Sequence, residues 1–375
     1  MKNNITSVIK RCNFERNHVK KQTYRGWIIW ILGIFVTMLV MMAVLTYIID
    51  PYFHYHAPFS GIKYRLYEQR YINDGIGRHF EYDAIITGNS LSENFKTSEF
   101  DELFGTNSIK LPYSGAGYKE IWENLERALE RNGNVKKVLV ALDFDDLIRD
   151  KNWIRYEDYP EYLYDDNGWN DVSYLWNKEV FYQGTLYNLL MTLLGQESTT
   201  FDEYASWQYG TGGEKVMRHI DYIRKPEEVK KQEYTVEDEE MIRENIQSNI
   251  IRIVEKYPDT EFYLYFAPAS IAQWCNWNNQ GTVSYRILAE KTAIEELLKR
   301  EQIKLFCFFE KQEWICDLDN YSDTIHYTPM INSTILQYIS EENYRITKEN
   351  YQKHIEESLE FYVNYDYLSL NQYKE

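Results

Sequence analysis

Short apolar runs alternate with longer amphipathic segments along most of the chain after residue 82. The runs predict strands at 83–87, 108–112, 137–143, 261–266 and 304–309. The segments predict helices at 92–104, 118–131, 236–256, 283–301 and 329–341. Short strands that alternate with longer helices are typical of a parallel sheet with helices on both faces. The pattern therefore predicts an α/β fold, a three-layer sandwich around a five-stranded parallel sheet.

One earlier stretch departs from this alternation, because residues 26–49 contain no charged side chain. At about 1.5 Å per residue, such a helix is long enough to cross a bilayer core of about 30 Å. Trp27 and Tyr47 lie near its two ends, where amphipathic rings favour the membrane interface. The apolar core of a cleaved signal peptide is shorter, about 7 to 15 residues, and no small-residue cleavage site follows. The stretch predicts a transmembrane helix that stays on the protein.

Charge predicts the orientation of this helix. Residues 1–25 contain seven basic side chains and one acidic side chain, and basic flanks favour the cytoplasmic side. The whole chain has a net charge of −17, so removing this basic tail leaves −23 on the remainder. The part after the helix is then an acidic extracytoplasmic domain. Its charge argues against a nucleic-acid partner and against docking on anionic lipid.

The cysteines predict no disulfide framework. Of the four, Cys12 lies in the cytoplasmic tail, which leaves Cys275, Cys307 and Cys316 outside. An odd number cannot all pair internally, and no Cys-x-x-Cys spacing occurs. A single bridge between Cys307 and Cys316 stays open.

Three regions surround or interrupt the α/β pattern of 83–345. Residues 50–82 form an aromatic-rich connector, in which His54 and His56 have the spacing of metal ligands but no third ligand nearby, so aromatic packing is favoured. Residues 150–235 form an insertion rich in Tyr, Trp, Asp and Asn, which should contain its own helices, including 180–194. Residues 346–375 form a helical extension. No metal site and no cofactor is predicted.

A candidate nucleophile follows the first predicted strand. Ser90 stands at the carboxyl edge of the sheet, where open α/β folds place their ligands. A serine hydroxyl needs a base and an acid that orients the base, and Asp323 and His326 supply both types three residues apart. Asp317 and Asp319 are alternatives for the acid. Backbone amides at the Ser90 turn and at the glycine turn 114–117 are candidate oxyanion donors.

These residues resemble the conserved blocks of the SGNH (GDSL-like) hydrolase superfamily, over roughly residues 82–340. Residues 86–90 resemble the first block, which makes Ser90 the nucleophile and an oxyanion donor. Residues 114–117 resemble the second block, which makes the Gly115 amide another donor. Asp323 and His326 match the fifth block, as the orienting acid and the base. The resemblance implies a flavodoxin-like sheet and a serine acyl-enzyme.

The third block departs from the family. Where the family usually has Gly-x-Asn-Asp, with the Asn side chain completing the oxyanion hole, this chain has Asp143 and Asp145 within Leu-Asp-Phe-Asp-Asp. An ionised carboxylate would repel an oxyanion, and loss of one donor typically costs about 10² to 10³ in rate. In the first block, Asn89 stands where the family commonly has Asp. Asn89, Asp143 and Asp145 are therefore candidate substrate contacts.

Among the SGNH branches, the membrane-anchored ones are most similar, namely the D-alanyl teichoic-acid transfer protein and the polysaccharide O-acetyltransferases. This similarity implies an acyl esterase or O-acyltransferase that acts on a cell-surface polysaccharide or polymer. It also implies a multipass membrane acyltransferase as a partner. The alternative, favoured by the aspartates of the third block, is an inactive SGNH-fold scaffold or glycan-binding subunit of a cell-envelope complex.

Overall fold

The structure, a computed structural model, describes residues 2–156 and 158–374, and of residues 2–23 it describes only the helical backbone. The first helix, α1, spans Lys2–Ile49. Its part Tyr24–Ile49 is long and apolar enough to cross a membrane, and most of its side chains are exposed. The chain therefore has an N-terminal apolar helix that is not buried in the domain and is consistent with a single-pass anchor.

Within the described residues, one mixed sheet has the strand order β2-β1-β3-β4-β5-β6. The strands are β1 (Ala84–Gly88), β2 (Ser108–Pro112), β3 (Lys137–Leu142), β4 (Glu261–Phe266), β5 (Ile303–Cys307) and β6 (Arg345–Ile346). All neighbouring pairs are parallel except β5 and β6. The predicted five parallel strands are present, but the prediction of a purely parallel, five-stranded sheet is wrong. At two residues, β6 is too short to show a hydrophobic period.

The chain has further α-helices, some of them in the insertion. They are α2 (Gln69–His79), α3 (Thr97–Phe104), α4 (Tyr118–Arg131), α5 (Phe144–Leu147), α6 (Val172–Leu175), α7 (Tyr187–Leu193), α8 (Gly213–Met217), α9 (Val236–Asn245), α10 (Arg252–Lys256), α11 (Ile271–Gln280), α12 (Val283–Leu297), α13 (Gln312–Ile315), α14 (Pro329–Ser340) and α15 (Tyr351–Asn364). Every residue of β1 and β2 is buried, as expected for parallel strands covered on both faces.

The helices predicted at 236–256 and 92–104 differ from their predicted form. The predicted helix 236–256 is continuous but contains a π-helical segment, Ile246–Ile251, between α9 and α10. The predicted helix 92–104 is wrong at its start, because a 3₁₀ turn, Ser90–Ser92, precedes an α-helix that begins only at Thr97. The chain after Ser90 therefore lacks a long helix whose dipole could act on the serine.

The insertion packs on the last turns of α1. The Trp176 indole donates a hydrogen bond to the Leu39 carbonyl at 2.9 Å, and the Thr185 and Thr46 hydroxyls lie 3.3 Å apart. Its predicted helix 180–194 occurs as a π-helical segment, Val180–Leu186, followed by α7. The insertion therefore joins the sheet domain to the apolar helix.

The connector also packs on the insertion. His54 Nε2 lies 3.2 Å from Asp171 Oδ1, and the Tyr55 hydroxyl donates to the other oxygen of Asp171 at 3.0 Å. The His56 ring lies 4.4 Å from the Phe59 ring, centroid to centroid. These contacts agree with the predicted packing role for the two histidines.

Candidate active site

Ser90 stands on a tight turn at the carboxyl end of β1. The turn begins at Gly88, whose φ of +139° favours glycine, and a Cβ there would lie 3.2 Å from the Ser92 side chain. Asn89 caps the following 3₁₀ turn, since its Oδ1 accepts a hydrogen bond from the Leu91 amide at 3.1 Å. The Gly-Asn-Ser sequence thus fixes the direction of the serine.

Asp323 and His326 lie on the loop before α14. Asp323 Oδ1 accepts hydrogen bonds from the amides of Ile325 and His326, at 2.9 and 2.8 Å. The Ser322 amide donates to the His326 carbonyl at 2.9 Å and closes the loop. This is a turn of the kind that aspartate side chains form with the backbone ahead of them. The spacing of three residues directs both side chains to one side.

The structure brings Ser90, His326 and Asp323 together. Ser90 Oγ lies 2.8 Å from His326 Nε2, and His326 Nδ1 lies 2.6 Å from Asp323 Oδ2. The side chains of His326 and Asp323 are 24% and 31% exposed, so a substrate can reach them. Hydroxyl, imidazole and carboxylate in this order are the arrangement that activates a serine as a nucleophile.

The protonation of Asp323 determines the direction of these hydrogen bonds. Burial raises the pKa of Asp323, but hydrogen bonds from the His326 side chain and from the backbone amides outweigh it and lower the pKa to about 2. An ionised carboxylate can only accept hydrogen bonds, so His326 Nδ1 carries the proton. In the neutral ring, Nε2 is then free to accept the proton of Ser90 Oγ.

The two alternative acids lie elsewhere. Asp317 Oδ1 accepts a hydrogen bond from the Asp319 amide at 3.1 Å, and Asp319 Oδ1 accepts from the Gly213 amide at 3.2 Å. Asp323 is therefore the carboxylate that orients His326.

Two backbone amides are free to bind an oxyanion. Among the described residues, neither the Ser90 amide nor the Gly115 amide has an acceptor within hydrogen-bond distance. Gly115 has a φ of +67°, and a Cβ there would lie 2.7 Å from the Arg155 guanidinium. The positive φ of the turn therefore favours glycine here, whereas the flexible Arg155 side chain could move aside.

The candidate substrate contacts Asn89, Asp143 and Asp145 have partners within the protein. Asn89 Nδ2 donates a hydrogen bond to Asp143 Oδ2 at 2.9 Å, and Asp143 Oδ1 accepts from the Asp145 amide at 2.9 Å, as the cap of α5. The carboxylate of Asp145 lies 2.6 Å from the buried Arg286 guanidinium. Burial, with the charge of Asp145, raises the pKa of Asp143. Asn89, Asp143 and Asp145 thus form a connected support beneath the serine turn.

A second support was not predicted from the sequence. The buried Glu93 follows the serine turn, and its Oε1 accepts a hydrogen bond from Gln69 Nε2 at 2.6 Å. Gln69 Oε1 in turn accepts from the Ser114 amide at 2.6 Å, which ties the serine turn to the glycine turn. Lys110 on β2 donates to the carbonyls of Glu93 and Phe95 at 2.6 and 3.0 Å, and burial lowers its pKa to about 8.

The insertion also contributes to the site. The Trp207 ring meets the His326 ring edge to face, with centroids 5.3 Å apart, and Tyr209 stacks on Trp207 at 5.3 Å. The Trp207 amide donates to Asn94 Oδ1 at 2.9 Å, which fixes this segment near the serine turn. Trp207 is partly exposed and Tyr209 is exposed. An aromatic surface therefore lies directly beside His326.

A small cavity lies on another side of the serine turn. Its volume is about 30 Å³, and its lining combines apolar residues, such as Leu91, Leu142 and Ile325, with Asp143 and Asp145. Leu91 and Ile325 are the chain neighbours of Ser90 and His326. A cavity of this size has room for about two water molecules, since one water needs about 10 to 15 Å³.

Comparisons with known proteins give no family. No protein-family model matches the chain, and no curated protein matches it. A solved structure from Streptococcus pneumonia, described provisionally as a platelet activating factor, has 12% sequence identity and a TM-score of 0.37. That alignment covers 73% of this chain and 89% of the other. A likeness at this level carries no inference about fold or activity.

Proposed function

We propose that this chain is a membrane-anchored, extracytoplasmic acyl esterase or O-acyltransferase of the SGNH type, with a flavodoxin-like three-layer domain, and that it acts on a cell-surface glycan. The observation that carries the proposal is the hydrogen-bonded sequence from Ser90 through His326 to Asp323, at 2.8 and 2.6 Å. Ser90 and His326 stand 236 residues apart in the chain, yet meet with the geometry of a nucleophile and its base.

The reaction follows from this geometry. His326 Nε2 takes the proton of Ser90 Oγ as the oxygen attacks the acyl carbonyl. Asp323 stabilises the imidazolium that forms, and the imidazolium then gives its proton to the leaving alcohol. The acyl group stays on Ser90 as an ester until water or a glycan hydroxyl, deprotonated by His326, attacks it. Water gives hydrolysis, and the glycan hydroxyl gives transfer.

The amides of Ser90 and Gly115 are the proposed oxyanion donors, because both lack internal acceptors among the described residues. The third donor of the SGNH pattern, an asparagine of the third block, is absent, because this chain has Asp143 and Asp145 there. We therefore expect a working but slower oxyanion site than one with three donors.

Two features favour a glycan that carries a short acyl group. The faces of Trp207 and Tyr209 beside His326 suit the apolar faces of sugar rings, with polar tips for their hydroxyls. The cavity beside Leu91 is only about 30 Å³, which favours a short acyl group over a long one.

Replacing Trp207 with alanine should weaken acceptor binding more than chemistry. Loss of one aromatic face, worth about 0.5 to 1.5 kcal/mol, predicts a KM for the acylated glycan raised about two- to twelvefold, with kcat within about threefold. Steady-state kinetics on the glycan and on a small acetyl ester check this. Trp169→Ala is the control, because Trp169 lies in the same insertion and is 93% exposed. An equal loss on the small ester would mean that Trp207 only positions His326.

The anchor proposal places residues 1–25 in the cytoplasm and the domain outside, because the tail is basic. The Trp176 indole contacts the Leu39 carbonyl, ten residues before α1 ends at Ile49. At 1.5 Å per residue, this contact lies about 15 Å along the helix from its outer end. On the same insertion, Leu190, Leu193 and Leu194 are exposed. We infer that this part of the insertion enters the outer half of the bilayer beside α1.

External protease tests this orientation in cells that express the full chain with an epitope at each terminus. We expect loss of the C-terminal epitope and protection of the N-terminal one, with the N-terminal epitope still attached to the mature protein. Protection of both epitopes, or loss of the N-terminal epitope by processing, contradicts the proposed anchor.

A further inference from the structure

A buried cluster outside the Ser90 site joins three elements of the fold. Glu290 on α12, Cys307 at the end of β5 and His354 on α15 are 0%, 1% and 2% exposed. Glu290 Oε1 lies 3.0 Å from His354 Nε2 and 3.3 Å from Cys307 Sγ, and the potential ligand atoms of all three lie within 4.8 Å of one another. A carboxylate, a thiol and an imidazole thus converge in a volume that solvent does not reach.

The cluster has an unused acceptor. Among the described residues, Glu290 Oε2 is buried and has no hydrogen-bond partner. A buried acceptor without a partner usually costs about 1 to 3 kcal/mol, more when it is charged, so it calls for a missing partner. A cation between the three side chains would be that partner, because both oxygens of Glu290 could then bind it.

The donor set and spacing suit a zinc-class ion. Cysteine sulfur, histidine nitrogen and carboxylate oxygen are the ligands that zinc takes, at about 2.0 to 2.3 Å, which separates tetrahedral ligands by about 3.4 to 3.6 Å. The observed separations of 3.0 and 3.3 Å are within a few tenths of an ångström of these values. A small outward shift of the side chains therefore makes room for the ion.

The second ring nitrogen of His354 supports the same interpretation. Its Nδ1 lies 3.1 Å from Glu310 Oε1, on the loop after β5. Histidines that bind metals almost always donate the other ring N–H to a carboxylate or carbonyl, which fixes the ring and strengthens the ligand. Glu310 is the carboxylate that accepts this N–H, so the other ring nitrogen, Nε2, is directed at Glu290 and Cys307.

We propose that Glu290, Cys307 and His354 bind one zinc-class divalent cation that fastens α15 to the sheet domain. Cys307 and His354 bind as thiolate and neutral imidazole, so each proton they hold without metal is released on binding. The charges of the thiolate and the carboxylate then balance the ion. Because all three side chains are closed to solvent, the role is structural, and it does not depend on the proposed activity of Ser90.

The position of α15 shows what the ion would hold. Tyr362 on α15 stacks on Trp274 of α11 with ring centroids 3.7 Å apart, and its hydroxyl donates to the Phe309 carbonyl at 2.8 Å. His354 lies about two turns before Tyr362, near the start of α15, and connects this helix to β5 and α12. The cluster therefore closes the second end of the same packed helix.

Metal analysis of the full-length protein, purified in detergent without a histidine tag, tests the proposal. After removal of metal with a chelator and incubation with zinc alone, we expect about one zinc per chain and a thermal unfolding midpoint that rises on zinc addition. Cys307→Ser and His354→Gln should lower the zinc content at least tenfold. Cys275→Ser is the control, because Cys275 is also a buried free thiol but lies outside the cluster.

Cobalt keeps the test decisive if a variant does not fold. In the wild-type protein, bound cobalt should give a thiolate-to-metal charge-transfer absorption, and Cys275→Ser should retain it. Absence of that band, or zinc retained equally by Cys307→Ser, overturns the proposal. The cluster would then be an ion pair of His354 with Glu290 and Glu310, and the thiol a bystander.

Discussion

Ser90→Ala is expected to lower acyl turnover by at least about 10³-fold, while the domain stays folded. The hydroxyl is the atom that His326 Nε2 contacts at 2.8 Å, and alanine leaves no group that can form the acyl ester. Only substrate binding and oxyanion stabilisation would then still contribute to the rate acceleration. Release of acetate from a small ester and from an acetylated glycan measures the loss, and the thermal unfolding midpoint reports the fold.

Ser92→Ala is the matched control. Ser92 lies in the same 3₁₀ turn, and its hydroxyl donates to the Asn89 carbonyl at 2.7 Å, away from His326. Losing that hydrogen bond costs about 1 kcal/mol of stability and should leave turnover within a few-fold. A fluorophosphonate probe should label the wild type and Ser92→Ala at Ser90, and should not label Ser90→Ala. Full activity of Ser90→Ala in cells would instead favour the scaffold or glycan-binding alternative.

Local patterns predicted the elements that local physics determines. The strand 108–112 and the helix 118–131 were predicted with their observed bounds, because an apolar run and an amphipathic period each mark their own ends. Helix α2 was missed, since Gly75 and Gly77 lower its helix propensity. Gly75 instead packs against the backbone of Tyr52, a contact that only the tertiary fold provides.

The part of the candidate site that short turns position could be predicted from the sequence. The Gly-Asn-Ser turn and the Asp-x-x-His loop encode their geometry within a few residues, so Ser90, Asp323 and His326 could be proposed from sequence. Trp207 could not be proposed, because it meets His326 from an insertion without a regular period. The aromatic composition of the insertion was compatible with such a surface, but it did not indicate which ring would contact His326.

The structure changes the interpretation of the aspartates at 143 and 145. From sequence, Asp143 is a negative charge facing an oxyanion. In the structure, its two oxygens accept hydrogen bonds from Asn89 and from the Asp145 amide, which spreads and directs the charge. In this contact between neighbouring turns, Asn89 is the donor and Asp143 the acceptor.

Asp323→Asn is the second large effect, with kcat expected to fall about 10³- to 10⁴-fold and KM little changed. The asparagine oxygen can keep the hydrogen bonds from the Ile325 and His326 amides, so its NH₂ group must face His326 Nδ1. That contact favours the ring with its proton on Nε2, which cannot accept the proton of Ser90. The fold is preserved while the tautomer is wrong.

The pH dependence of kcat shows whether protonation of Asp323 limits the wild-type enzyme. Because hydrogen bonds lower the pKa of Asp323 to about 2, the carboxylate stays ionised above about pH 3, and its protonation does not limit wild-type activity there. Asp317→Asn and Asp319→Asn are the controls and should keep near wild-type kcat. The rate of fluorophosphonate labelling at Ser90 should fall in parallel with kcat. If Asp323→Asn were as active as these controls, His326 would not need an oriented tautomer, and the proposed acyl-enzyme mechanism would lose its base.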